Sequence, residues 1–231
     1  PRAGGMAPTT NPAYDEVICE APIAEAEDVD AAVQAAHAAF PAWAAVPPLE
    51  RGRLLRKAAA VLREHAMPLA QLDALNNGNP VAALALDAGF AADCLEYFAG
   101  LATEIKGETI PMGPGNLNYT IQEPLGVVAR IVAYNHPLMF AAARLAAPLA
   151  AGNTVVIKAP DQAPLSTLRL AELVGGIFPP GVVNFLCGSR ACGEALTRHP
   201  LVRKVTLIGG VPTGKAVMQT AAEGLKPVLL E

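Results

Sequence analysis

Apolar positions change their period along this chain, and the changes outline its elements. Residues 1–24 read as short extended segments with turns: Asn11-Pro12-Ala13-Tyr14-Asp15 is turn chemistry, and Glu16-Val17-Ile18-Cys19 a short strand. From Glu25 the period is helical, with Val29, Val33, Ala36, Phe40 and Trp43 on one face and Glu25, Glu27 and Asp28 in the first turn, where the helix dipole favours negative charge. Pro47-Pro48 separates a second helix, whose stripe is Leu54, Leu55, Ala58, Val61 and Leu62 and whose Arg51, Arg53, Arg56, Lys57 and Arg63 are expected to face water. A third helix over 68–75 stops at Asn76-Asn77-Gly78-Asn79-Pro80, and a fourth is predicted over 81–101. The stretch 106–124, rich in Gly, Pro and Asn, reads as a linker or a protruding hairpin with an edge strand over 118–122.

Beyond it, short apolar runs alternate with helical patterns. Strands are predicted over 127–133, 154–157, 182–186, 204–208 and 227–230, and helices over 137–150, 165–178, 192–197 and 213–223. That alternation implies βαβ units and a parallel sheet with helices on both faces. The fold class is therefore α/β: a Rossmann-like open parallel sheet with flanking helices, preceded by a mainly helical N-terminal region.

Composition narrows the function. Apolar residues make up 52% and charged residues 16% of the 231, which excludes intrinsic disorder. The formal charge is −4 with no basic tract, so no nucleic-acid partner is implied. No apolar run is long enough to span a bilayer, and no signal peptide stands at Pro1, so no membrane partner is expected and the location is read as cytoplasmic. Cys19, Cys94, Cys187 and Cys192 form no disulfide framework and are read as free buried thiols; His37, His65, His136 and His199 show no metal-ligand spacing. The chain starts without Met and stops on Glu231, which reads as a piece of something longer.

Ligands of open parallel sheets bind at the carboxyl ends of the strands. Gly209-Gly210-Val211-Pro212-Thr213-Gly214-Lys215-Ala216 sits there and matches a phosphate-loop spacing. Ala216 lacks the Mg²⁺-binding hydroxyl, however, and Pro212 lacks an N–H, which argues against an ATP-binding loop. Gly113-Pro114-Gly115 follows no strand and reads as a surface turn. The turn from Gly188 to Gly193 lacks the full dinucleotide pattern, and steric need for glycine explains it equally. Lys158, three residues before Asp161, could offer a cation and a carboxylate to a ribose or form an ordinary salt bridge. Asn135 could donate its amide to developing negative charge or cap the helix that opens at Pro137.

Several motifs in fixed order resemble the aldehyde dehydrogenase superfamily: Glu123-Pro124-Leu125-Gly126-Val127-Val128 through Asn135-His136-Pro137-Leu138, Ala151-Gly152-Asn153-Thr154-Val155-Val156-Ile157-Lys158, Pro179-Pro180-Gly181-Val182-Val183-Asn184, and Leu225-Lys226-Pro227-Val228-Leu229-Leu230-Glu231. Asn11-Pro12, Glu27-Asp28-Val29 and Glu50-Arg51 agree, so the likeness covers nearly the whole chain. It implies three regions: 1–106, the helical part of the cofactor domain; 107–125, a segment of an oligomerisation hairpin; and 126–231, the Rossmann-like NAD(P)-binding part. The catalytic domain with its nucleophilic cysteine is absent, and none of the four cysteines here matches it.

The resemblance also implies a reaction. A thiolate attacks an aldehyde, the amide matched by Asn135 stabilises the oxyanion, hydride passes to the nicotinamide, and the glutamate matched by Glu231 activates water to release a carboxylic acid. NAD contacts are implied at Ile131, Ala133, Tyr134, Asn135, Lys158, Asp161, Gly188, Gly193, Gly209, Gly210, Thr213 and Gly214. Asp161 stands where a glutamate commonly binds the ribose hydroxyls, and its charge favours NAD while leaving NADP open. Three positions depart from the family: Tyr134 for tryptophan, His136 for phenylalanine and Gly210 for serine. A homodimer or homotetramer is expected. The alternative from another class is a catalytically inactive nucleotide-binding or scaffold protein of the same fold.

Overall fold

The computed structural model describes residues 4–231; residues 1–3, which begin the first extended stretch, lie outside the described residues. Strands β1 (Met6–Asn11) and β2 (Glu16–Pro22) form an antiparallel hairpin across the predicted turn, where the Asn11 side-chain oxygen accepts from the Ala13 N–H at 2.9 Å. Helix α1 (Ala26–Ala44) buries Val29, Val33, Ala36 and Trp43. Helix α2 (Pro48–Glu64) follows the double proline, and α3 (Ala66–Asn77) ends at Gly78, whose φ of 80° is the left-handed stop that glycine tolerates.

Two expectations about this half are corrected. The fourth helix is interrupted: α4 (Val81–Leu84) is one turn, and α5 (Asp87–Leu101) begins after a bend that leaves Leu86 in solvent while Asp87 is buried. Arg51 does not face water. It is buried, and its guanidinium donates to the carbonyls of Ala150 (3.0 Å), Val46 (2.6 Å) and Ala44 (3.3 Å). A charge can sit there because carbonyl acceptors replace the lost water.

The short strands β3 (Thr109–Ile110) and β4 (Asn118–Tyr119) pair as an exposed hairpin, so of the two readings of this stretch the hairpin holds. Then come β5 (Val127–Ile131), α6 (Pro137–Ala143), α7 (Ala146–Ala150), β6 (Thr154–Ala159), α8 (Leu165–Val174), β7 (Val183–Cys187), α9 (Arg190–Arg198), β8 (Val202–Leu207), α10 (Val211–Ala222) and β9 (Val228–Leu230). The predicted helix over 137–150 is two helices. Pro148 has no N–H to give the Arg144 carbonyl, and Leu145 bonds instead in a tighter turn to Ala142. Helix α8 stops four residues early, at the glycine pair 175–176.

The five strands are parallel in the order β7-β6-β5-β8-β9. Alternation along β6 divides the core: Val155 and Ile157 pack with Trp43, Leu62, Leu95 and Leu149 on one face, and Val156 with Val33, Leu196 and Val205 on the other. From β5 the chain winds outward through β6 and β7, then returns to place β8 on the other side of β5. That reversal opens a crevice at the carboxyl ends of β5 and β8.

Candidate functional site

A cavity of about 580 Å³ occupies this crevice. Its walls bring together nine residues singled out from the sequence: Ile131 at the end of β5 with Ala133 and Tyr134 after it, Lys158 on β6 with Asp161 just beyond it, Gly193 on α9, and Gly209, Gly210 and Thr213 where β8 turns into α10. Lys158 belongs to a central strand paired on both sides, so its stem is fixed by the sheet. Its side chain is 8% exposed, and Nζ lies 3.6 Å from Oδ1 of Asp161, which is 45% exposed. The pair thus forms a salt bridge that presents a sunken cation and a carboxylate at the rim.

Gly210 caps α10, and Pro212 stands in its first turn, so these two positions offer the cavity no polar side chain, while Thr213 beside them does. The Gly209 N–H donates to the Glu231 carbonyl at 3.1 Å, which ties the cavity wall to the end of β9.

Gly188, Gly214 and Asn135 lie outside the lining. A Cβ on Gly188 would come within 2.8 Å of the Cys192 Cβ and 3.0 Å of the Ala24 carbonyl oxygen, so glycine is required there by packing. Gly214 is buried beneath Leu230 and Leu207. Asn135 is exposed on the turn between β5 and α6. The expectation that it caps α6 is corrected: His136 holds the cap position, and the following Pro137 sets the helix start. Glu231 closes the same edge of the sheet, with its carboxylate oxygens 2.5 and 2.6 Å from the Arg144 guanidinium.

Thiol chemistry is not prepared here. Burial pushes Cys187 and Cys192 up to about 11, although nearby Lys158 pulls both the other way, so both stay protonated at neutral pH. The reading of all four cysteines as buried is corrected for Cys19, which is exposed, and Cys94, which is partly so; all four are free. Among the described residues no cluster of His, Cys, Asp and Glu could hold a metal, and no helix is long and apolar enough to cross a membrane.

Sequence reasoning missed the α9 side of the cavity: Ser189, Arg190, Glu194 and Thr197. The signal was the turn from Gly188 to Gly193, whose glycines drew notice while the side chains between and after them did not. It also missed the groups beneath the Asn135 turn. His136 Nδ1 lies 2.9 Å from Oδ2 of buried Asp87, and the Leu138 N–H donates to Asp73, whose carboxyl is pushed up to about 7, chiefly by burial. The Asn135 carbonyl accepts from the side-chain amides of Asn77 (3.1 Å) and Asn79 (2.6 Å).

Comparison with known proteins gives this crevice a family. The model for the aldehyde dehydrogenase family matches residues 2–231, and the chain belongs to that family. It is 55% identical over 227 residues to the aldehyde dehydrogenase tropH of Talaromyces stipitatus, covering 96% of this chain and 44% of that one. PnpE of Pseudomonas sp. WBC-3, solved in complex with nicotinamide adenine dinucleotide, superposes with a TM-score of 0.95 at 44% identity, over 98% of this chain and 47% of that one. An E. coli NADP-dependent enzyme superposes equally well, TM-score 0.95, at 36% identity over 98% and 48% of the two chains. The chain therefore spans about half the length of the relatives it matches.

Proposed function

We propose that this chain is the cofactor-binding part of an enzyme that oxidises an aldehyde to a carboxylic acid with NAD. The observation that carries the reading is the crevice itself: a cavity of about 580 Å³ at the reversal of strand order, with Lys158 and Asp161 at one end and the Asn135 turn and Glu231 on the same edge of the sheet. The residues present suit a dinucleotide. Lys158 Nζ and the Asp161 carboxylate would hold the adenosine ribose, the former donating to and the latter accepting from its hydroxyls. Gly209 and Gly210 leave backbone open to the pyrophosphate at the start of α10, where the helix dipole favours negative charge. When bound, NAD supplies the acceptor for the hydride that the aldehyde loses.

The chain's own groups then have separate tasks. The Asn135 amide donates to the oxyanion formed when a thiol from outside these 231 residues attacks the aldehyde. Glu231 takes a proton from the water that releases the acid. Its pairing with Arg144 must loosen for that step, because the guanidinium occupies the oxygens that would accept the proton. Asp161 opposes a 2′-phosphate by charge, which supports NAD over NADP. The β3–β4 hairpin is proposed as part of an oligomerisation arm of a homodimer or homotetramer, which light scattering on the purified protein would test.

The test is NAD reduction by the full-length protein with a panel of aldehydes, alongside calorimetry with NAD. Turnover that falls at least about a hundredfold in Asn135→Ala and in Glu231→Gln is expected. NAD binding without turnover for any aldehyde would favour the inactive nucleotide-binding alternative; no binding at millimolar NAD would sink both readings.

A further inference from the structure

The tract Asn76-Asn77-Gly78-Asn79-Pro80 stands out in the sequence only as a helix stop, yet in the fold its side chains leave α3 and grip the turn that carries Asn135. Asn79 Nδ2 donates to the Asn135 carbonyl at 2.6 Å, and Asn77 Nδ2 donates to the same oxygen at 3.1 Å and to the Tyr134 carbonyl at 3.4 Å. A carbonyl oxygen has two lone pairs, so these two amides saturate it. Asn77 is itself fixed, because its Oδ1 accepts the Asn79 N–H at 2.8 Å, and Gly78 between them takes the left-handed φ of 80° that folds both amides toward one side.

The turn needs such a grip. Tyr134 and Asn135 are exposed, so no apolar packing fixes them. Position 136 caps α6 without a side-chain hydrogen bond to the helix; its ring is held by Asp87 and packs edge-on against Phe140, which anchors the far side of the turn and leaves the Asn135 carbonyl to the two amides. We propose that Asn77 and Asn79 are positioning residues: by clamping the Asn135 carbonyl they set where the Asn135 side-chain amide meets the oxyanion. The proposal rests on the oxyanion role given to Asn135 above.

The experiment uses the full-length protein with Asn77→Asp, Asn79→Asp and the double variant. Each substitution keeps the shape of the side chain and removes the donor, and the carboxylate placed at position 77 still accepts the Asn79 N–H. A misplaced group costs rate rather than cofactor affinity, so kcat is expected to fall about 10- to 100-fold in the double variant. KM and Kd for NAD should stay within about twofold, and the unfolding midpoint should hold. Hydrogen exchange should rise in 134–138 and not in β6. Asn79→Lys, which restores an N–H donor, should recover much of the rate.

Unchanged kcat in the double variant, in an enzyme that loses turnover on Asn135→Ala, would overturn the clamp and leave the function standing. So would a loss of kcat matched by weaker NAD binding or a lowered midpoint, since that is a fold defect. If Asn135→Ala itself leaves turnover intact, the clamp's catalytic role and the oxyanion role fall together.

Discussion

The helical half before residue 107 and the sheet half after residue 125 divide the labour unequally. The sheet half forms the cavity, and its strands are held by apolar layers on both faces. The helical half lines none of that cavity, yet it supplies the polar groups that hold the sheet half's connections. Arg51 binds the Ala150 carbonyl, Asp73 the Leu138 N–H, Asp87 the His136 ring, Asn76 the Leu165 N–H, and Asn77 and Asn79 the Asn135 carbonyl. Strand positions in this fold are thus set by hydrophobic register, whereas the turns beyond β5 and β6 are held by side chains from the helical half. Changes in the helical half should therefore disturb stability or turn geometry, and changes at the cavity should disturb binding alone.

The largest effect is expected at Arg51. Arg51→Ala leaves the carbonyls of Ala44, Val46 and Ala150 without their donor and opens a hole between α2 and α7. Losing a buried charged donor costs about 3–5 kcal/mol. Urea unfolding should show it as a lower midpoint at unchanged slope, and a midpoint within error of the parent would mean water reaches these carbonyls freely.

Asp73→Asn tests the same half through pH. The Asp73 carboxyl is raised from 3.8 to about 7 in the folded chain, so the folded state holds a proton that the unfolded state has released. The parent should therefore lose stability as pH rises from about 4 to 7 and level off above that, by up to about 4 kcal/mol. The amide can still accept the Leu138 N–H without titrating, so the variant should lack this slope. Parallel pH profiles for the two would show that Asp73 stays ionised.

These two residues also mark where the sequence was silent. The five strands, their helices and the cavity's β5, β6 and β8 walls were legible because apolar period and strand-end position encode them. Arg51 sits among arginines that do face water, and only its meeting with the end of α7, far along the chain, makes it buried. Likewise Asn77 and Asn79 read as a stop signal, since a local pattern shows where a helix ends and not what its last side chains reach. The break at Pro148 was legible in principle, from a proline whose missing N–H falls on the Arg144 carbonyl.

On the cavity side, Lys158→Met keeps a long apolar stem in a buried slot and removes the ammonium. A hydrogen bond from a charged group contributes about 1.5–3 kcal/mol, so NAD affinity of the full-length protein should fall roughly 10- to 100-fold. The unfolding midpoint should stay close to the parent's, because an apolar replacement of a buried charge is often neutral. If the midpoint drops as far as in Arg51→Ala, the division between a holding half and a binding half is broken.

The smallest effect is expected at Asp161, and it sharpens the comparison within the cavity. Its carboxylate is 45% exposed, whereas Lys158 beneath it is 8% exposed. Water and salt screen the rim charge, so Asp161→Asn removes only a modest repulsion toward a 2′-phosphate. NAD binding should weaken about two- to threefold and NADP binding should strengthen by a similar factor, shifting the ratio by roughly fivefold. The shift should shrink as salt is raised from about 50 to about 500 mM, since repulsion at an exposed carboxylate is electrostatic. A ratio that moves without salt dependence would mean Asp161 selects by hydrogen-bond geometry, and one that does not move would place cofactor choice with the α9 residues Ser189 and Arg190 across the cavity.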